Sequence, residues 1–409
     1  MAVEIRIAQG DDDLEQAYAI MAYAFTGDRS PEARQRLRHV EEMGPTVVLL
    51  EDGEISACLR VLALEMLVNG GPVSLGGVAS VACLPERRRQ GHVGRLLRWA
   101  LDDMRQRGQA LSSLYTPHPP LYRRYGWMVA GAALRHTWSP KLVRPYRDHA
   151  PAGRAERVGE DAQPMLEDVY RCFAAGRNGY LVRSQRWWQE AVFRELYDDR
   201  RRVNDVAVWR SDSGRATGYV VYRPRRESRA GEPPVDSLFV YEFVALDAGA
   251  YVGLLRYLLA HDLAREMVWY APPDEPLALA LDDSERVRRE YHDTFMLRVV
   301  DMERAVAARP AGPGAPEGAF TVHVVDAAAP WNQGTWRIES GGGALRAART
   351  REGACISTDA ATFAALYNGF MPASVAVRCG LAEASDEGAV ALADRALAAA
   401  YVPYSPDHF

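Results

Sequence analysis

One stretch limits what this chain can fold into. Residues 72–99 read Pro-Val-Ser-Leu-Gly-Gly-Val-Ala-Ser-Val-Ala-Cys-Leu-Pro-Glu-Arg-Arg-Arg-Gln-Gly-His-Val-Gly-Arg-Leu-Leu-Arg-Trp. An apolar run with the composition of a buried strand meets an arginine and glycine turn, and the turn opens straight into an apolar helix. Gly91 and Gly94 let the backbone turn and approach a ligand closely, while successive N–H groups at the helix start point at whatever anion sits there. Arg87, Arg88 and Arg89 add full positive charge. That order predicts a seat for a phosphorylated ligand where a strand hands over to a helix.

The flanking residues read as an α+β unit. Residues 3–7 alternate as a strand, and Asp11, Asp12 and Asp13 precede a helical stripe of Leu14, Ala17, Tyr18 and Met21. Pro31 opens a second helix that Gly44-Pro45 stops. Residues 46–50 and 55–68 are strands about the hairpin signal Glu51-Asp52-Gly53, and 73–83 is a third. The helix after the loop spans 93–107, with Leu96, Leu97, Ala100, Leu101 and Met104 on one face. Strand 110–115, a stiff proline segment at 116–120, a helical turn at 121–126 and a closing strand at 127–138 finish the unit.

This order, the Arg88-Arg89-Gln90-Gly91 turn, and Leu121-Tyr122-Arg123-Arg124-Tyr125-Gly126-Trp127 after the next strand resemble a Gcn5-related N-acetyltransferase (GNAT) domain. The resemblance implies that the loop binds the pyrophosphate of acetyl-CoA and that Tyr122, four residues before Gly126, lies by the thioester sulfur. The cofactor-binding set it implies is Val81, Ala82, Cys83, Arg88, Arg89, Gln90, Gly91, His92, Val93, Gly94, Pro117 and His118. Within that set the backbone N–H groups at Val81 and Cys83 would polarise the thioester carbonyl. The general pattern asks for a small residue at position 93, where this chain has valine. The relaxed loop resembles the branch named after the enhanced intracellular survival (Eis) protein of actinobacteria, and the likeness runs along the whole chain to Phe409.

The second third restarts the pattern after an arginine-rich connection at 141–160. Helices at 162–177 and 184–197 precede strands at 205–209, 216–223 and 237–246, a helix at 250–264 and a strand at 267–270. Its helix start reads Asp-Ala-Gly-Ala-Tyr-Val-Gly, with no arginine and an acid where a phosphate would lie, so this unit is expected to be a duplicated fold that no longer binds CoA. The last third, with a short helix ending near 309, a loop at 309–318, short strands and helices at 360–367 and 387–398, resembles the sterol-carrier-like domain of Eis-family chains. The expected fold class is therefore α+β: a catalytic GNAT domain at 1–150, a degenerate GNAT-like domain at 151–296 and a sterol-carrier-protein-like domain at 297–409. Three units suit 409 residues at roughly 100–200 residues per domain.

Acetyl transfer to an amine needs a base for the ammonium proton and an acid for the leaving thiolate. The Tyr122 phenol, with an ordinary pKa near 10, stays protonated at neutral pH and suits the acid. Among the histidines, sequence order brings only His118 near the thioester, whereas the Eis resemblance implies the C-terminal carboxylate of Phe409 as base. Six of the last nine residues are aromatic, proline or valine, a composition that fits a pocket better than a solvated tail. No histidine stands beside Cys83 in a motif, which argues against a covalent acetyl-cysteine. The expected acceptor is a primary amine of an aminoglycoside, a polyamine-like molecule or lysine, received near Phe25, Asp28 and Glu32 although Arg34, Arg36 and Arg38 surround them. A non-catalytic acyl-CoA or lipid-binding sensor is the alternative.

The balance of 49 basic and 54 acidic residues, net −5, gives no support to nucleic-acid or anionic-membrane binding. Five scattered cysteines without a paired Cys-x-x-Cys argue against a disulfide framework and a zinc site, so no metal is expected. The first residues have no signal-peptide pattern and no run reaches membrane-span length, from which a cytoplasmic location is expected. The family resemblance implies a hexamer.

Overall fold

The computed structural model describes residues 3–146, 151–198, 200–227 and 235–409. Along the first third run β1 (Val3–Ile7), α1 (Gly10–Ala24), α2 (Pro31–Arg36), β2 (Thr46–Glu51), β3 (Glu54–Val68), β4 (Gly71–Cys83), α3 (His92–Gln106), β5 (Leu111–Leu114), α4 (Pro119–Arg123), β6 (Met128–Val129) and β7 (Ala132–Trp138). The second third contributes β8 (Gly153–Val158), α5 (Gln163–Ala174), α6 (Gln185–Trp187), β9 (Asp205–Ser211), β10 (Ala216–Glu227), β11 (Val235–Ala245), α7 (Ala248–Leu259), β12 (Glu266–Ala271), α8 (Leu277–Ala280), β13 (Arg288–Asp293) and β14 (Met296–Val299). The last holds α9 (Met302–Ala308), β15 (Gly318–Val325), β16 (Gly334–Gly341), β17 (Ala344–Arg349), β18 (Ile356–Asp359), α10 (Ala360–Tyr367), α11 (Ala373–Arg378), β19 (Ala382–Ala384) and α12 (Glu387–Ala396).

Among the described residues these strands form three sheets, ordered β1-β2-β3-β4-β5-β14-β6, β13-β7-β12-β11-β10-β9-β8 and β17-β16-β15-β18-β19. The first two exchange a strand. β7, which local pattern assigns to the close of the first unit, crosses into the second sheet and pairs antiparallel with both β12 and β13. In return β14 comes back from residue 296 and inserts between β5 and β6 of the first sheet. The expectation of one closing strand at 127–138 is thus corrected to two strands in two sheets. Strand partnership is a non-local property, and alternation along 132–138 fits either sheet equally.

Other differences have local causes. The helix expected at 184–197 is a single turn, α6, followed by a π-type turn over Trp188–Val192. Trp187 and Trp188 are both buried, and adjacent positions on a regular α-helix do not share a face, so the wider turn brings both rings inward. The supposed connection at 141–160 contains β8, an edge strand with no buried residue, which is why it reads as polar linker. β13 is equally polar and sits at the opposite edge.

The two corresponding helix starts are built differently. α7 is capped by Asp247, whose carboxylate accepts the Ala250 N–H at 2.7 Å. α3 begins at Gly91 with no side-chain cap and no acid in its first turn. One helix start has a side-chain partner for its end groups, and the other has none.

Candidate active site

β4 pairs with β5 only from Leu75 to Gly77, yet runs on to Cys83. The two parallel strands splay, and the far end of β4 has no ladder partner on that side. A bulge re-aims this end: the register with β3 shifts between Cys58 and Arg60, and Ser80 opposite stands at φ +53°. The N–H groups near Val81, Ala82 and Cys83 therefore lie at the wall of a cavity of about 1650 Å³ between the first two units.

The loop lines that cavity. Arg89 and Gly91 both adopt left-handed backbone, φ +63° and +83°, which turns successive N–H groups to one side as an anion-binding concavity. Gly94 answers to a different constraint, since a Cβ there would stand 2.0 Å from the Tyr125 hydroxyl. Arg87 turns inward to buried Glu51 at 2.9 Å, and the buried His92 ring faces the same carboxylate at 3.7 Å. Arg88 and Arg89 are left exposed at the cavity, with Arg88 Nε donating to the Cys83 carbonyl at 3.3 Å. Val93, Gly94, Pro117 and His118 line it as well. Gln90 does not, because its amide turns back to the Glu86 carbonyl at 3.4 Å. An uncapped fifteen-residue helix, two arginines with no carboxylate partner among the described residues and a concave backbone fit a pyrophosphate.

Tyr122 is 7% exposed and lines the same cavity. Burial pushes its phenol up to about 12, opposed in part by a hydrogen bond with the Thr116 side chain. Its ring stands edge-on to Trp127 at 6.5 Å between centroids, so packing and exposure to the cavity coexist. Burial also raises the Cys83 thiol, with Arg88 opposing, and a thiol held protonated is a poor nucleophile.

The end of the chain reaches this site by a fixed route. Pro403 accepts the Ala132 N–H at 3.0 Å, and the Tyr404 hydroxyl donates to the Tyr270 carbonyl at 2.6 Å. Asp407, 4% exposed, accepts from Arg183 Nε at 3.0 Å and Trp187 Nε1 at 2.7 Å. Arg183 forks its other nitrogens onto Glu242 at 2.9 and 3.0 Å, and Tyr219 donates to Glu242 at 3.0 Å. From the first unit the Tyr115 hydroxyl donates to the Asp407 carbonyl at 2.6 Å. The Phe409 ring then lies against Tyr115 and Trp187, with centroids 5.4 and 6.2 Å away, over Gly77, where a Cβ would come within 2.8 Å of it.

Sequence reasoning missed Arg183, Glu242 and His408. A lone acid in an apolar tail was the available signal, since a buried Asp407 demands a cation. His408 opens to the cavity with its ring tilted against Tyr115, centroids 4.5 Å apart, while the surrounding protein holds its imidazole below its ordinary value.

Phe25 and Asp28 also line the cavity, whereas Glu32 is exposed and outside it. The second unit adds Glu195, Asp198, Arg202 and Tyr241. Most of these acids are committed: Glu41 to Arg34 at 2.6 Å, Asp198 to Arg202 at 2.9 Å, and Glu195 to Arg225 and the Tyr241 hydroxyl. Arg38 reaches Asp11 at 3.4 Å, and the Arg36 side chain lies outside the described residues.

Sequence profiles of known families agree with this architecture. The acetyltransferase (GNAT) domain matches twice, at residues 4–130 and 179–299, and the sterol carrier protein domain matches 302–406. The chain is a GNAT acetyltransferase, an α+β enzyme of two GNAT domains followed by a sterol-carrier-like domain. An uncharacterized N-acetyltransferase of Streptomyces coelicolor is 28% identical over 427 residues, and one of Streptomyces griseus is 26% identical over 422, each alignment covering 100% of both chains. Among solved structures, a probable N-acyltransferase of Enterococcus faecalis superposes with a TM-score of 0.87 at 20% identity. Eis1 of Mycobacterium abscessus does so with 0.81 at 24%, again over 100% of both chains. The GNAT fold implies acetyl-CoA as cosubstrate and an amine as acceptor. No helix among the described residues is long and apolar enough to cross a membrane.

Proposed function

We propose that the chain transfers the acetyl group of acetyl-CoA to a primary amine by direct attack, at one site in the first unit. The observation that carries this reading is the convergence of the uncapped start of α3, Tyr122 and Phe409 on one cavity, from positions up to 315 residues apart in sequence (409 minus 94). Arg88, Arg89 and the N–H groups from Gly91 onward hold the pyrophosphate, and the N–H groups at Val81 and Cys83 hold the thioester carbonyl as charge grows on its oxygen. Tyr122 donates its proton to the departing sulfur. The Phe409 carboxylate takes the proton from the attacking ammonium, held at the cavity by the seating of the Phe409 ring against Tyr115 and Trp187. Neutral His408 is the competing base, favoured by its lowered pKa and its opening to the cavity.

The resemblance extends the proposal to aminoglycoside, polyamine-like and lysine amines and to a hexamer, which light scattering reads directly. Thiol release against an amine panel tests the chemistry. Turnover is expected in the native chain, with a large loss on Tyr122→Phe and on adding one residue after Phe409. Full activity in the extended chain with loss in His408→Gln moves the base to His408. CoA binding without turnover of any amine leaves the sensor alternative.

A further inference from the structure

Arg60 stands apart from the other cations of the cavity. It lies on β3 and lines the cavity, yet is 7% exposed. Its Nε donates to the hydroxyl of buried Thr46 at 3.3 Å, and among the described residues no carboxylate lies within ion-pair distance. By contrast Arg34, equally buried, is met by Glu41, Arg87 by Glu51 and Arg202 by Asp198. Arg88 and Arg89 are exposed and belong to the phosphate end. A guanidinium taken out of water without a counter-charge is costly. The cavity thus holds, beside Glu41, Glu195 and Asp198 each paired with an arginine, one buried fork of donors with no anionic partner of its own among the described residues.

Its position relates it to the acceptor. Arg60 is the cross-strand partner of Ala79, so their side chains share the cavity face of the sheet. Val81, whose N–H is proposed to hold the thioester carbonyl, lies two residues farther along β4, roughly 7 Å at the rise of a strand. A molecule whose amine reaches the carbonyl therefore extends back toward Arg60, on the side away from the phosphate loop.

Resting on the acetyltransferase reading above, we infer that Arg60 binds a carboxylate on the acceptor, so that the preferred substrates are amino acids or amino-carboxylates and not polycations. Planar guanidinium and carboxylate match in a two-pronged hydrogen bond. A polyamine gains nothing from the committed acids at Glu41, Glu195 and Asp198, and meets the unpaired positive charge of Arg60.

The test compares ω-amino acids of two to six carbons with alkylamines of the same length, in the thiol-release assay with acetyl-CoA. The native enzyme is expected to prefer the amino acid at one chain length by roughly ten- to a hundredfold in kcat/KM, the scale of one charge-assisted bidentate contact. Arg60→Gln is expected to lose that preference, and Arg60→Lys to retain part of it. Equal rates for acid and alkylamine at every length in the native enzyme overturn the inference without any variant. So does a preference that survives Arg60→Gln. Calorimetric titration of the N-acetylated amino acids into the CoA complex separates the two readings: binding that depends on Arg60 without turnover of any amine keeps the carboxylate site and removes the transferase, whereas turnover of amines with no such binding does the reverse.

Discussion

At the residue scale, the proposed role of Tyr122 as the acid sets how the rate should respond to pH. Burial raises the phenol from its usual value to about 12. A raised pKa keeps the proton on through neutral and mildly alkaline pH, and the acid is lost only as pH climbs toward that value. The rate should accordingly show no alkaline fall between about pH 8 and about pH 10, while Tyr122→Phe should lower kcat by roughly 10²–10⁴-fold with CoA binding intact. A fall centred at or below about pH 10 that disappears in the Phe variant would give the phenol an ordinary pKa; one that persists there assigns the donor elsewhere. Tyr122 was legible because its spacing to Gly126 is local. His408 and Asp407 were not, because what surrounds them comes from Tyr115, Arg183 and Trp187, each more than 200 residues away in sequence.

At the scale of elements, the joint from β4 through the loop to α3 was readable almost to the residue, since glycines, arginines and the apolar stripe each report a local requirement. Gly94 shows the limit of such reading. The pattern asks for a small residue nearby but does not name its neighbour, which is the Tyr125 hydroxyl, itself steadied by Arg98 lying 5.0 Å over the ring. Gly94→Ala should force the ring or the helix start aside, a strain of about 1–3 kcal/mol at the phosphate seat. Calorimetry should show CoA affinity falling about tenfold or more with the thermal unfolding midpoint little changed, and Tyr125→Leu in the same chain should recover most of it. Unchanged affinity in the single variant would mean that the loop absorbs the methyl. Among the elements that sequence missed, β8 and β13 are polar edge strands whose pattern is that of solvated loop, and the π-type turn at Trp188 reflects two neighbouring rings competing for one core.

At the scale of the molecule, the exchange of β7 and β14 means that neither acetyltransferase unit completes its sheet from its own contiguous residues. The tail adds a second tie, and its energetics can be isolated. Arg183 is buried between Glu242 and Asp407, with the Tyr170 ring 4.0 Å and the Trp188 ring 4.9 Å from its cation. Two carboxylates facing one guanidinium leave an excess negative charge out of water, and burial accordingly holds Glu242 above its usual range. Removing the cation should be far worse than removing the whole set: Arg183→Met leaves two uncompensated carboxylates and should cost about 3–5 kcal/mol in denaturant unfolding. Combining it with Glu242→Leu and Asp407→Leu removes every buried charge and should restore much of that stability. The triple variant nevertheless lacks the acceptor for Trp187 Nε1 and the ion pair that aims the chain end at Phe409. It should therefore bind CoA with native affinity while its kcat stays low, because the loop and α3 do not touch this network. Recovery of kcat together with stability would detach the chain end from the chemistry, and a fully stable Arg183→Met would mean that water reaches the carboxylates.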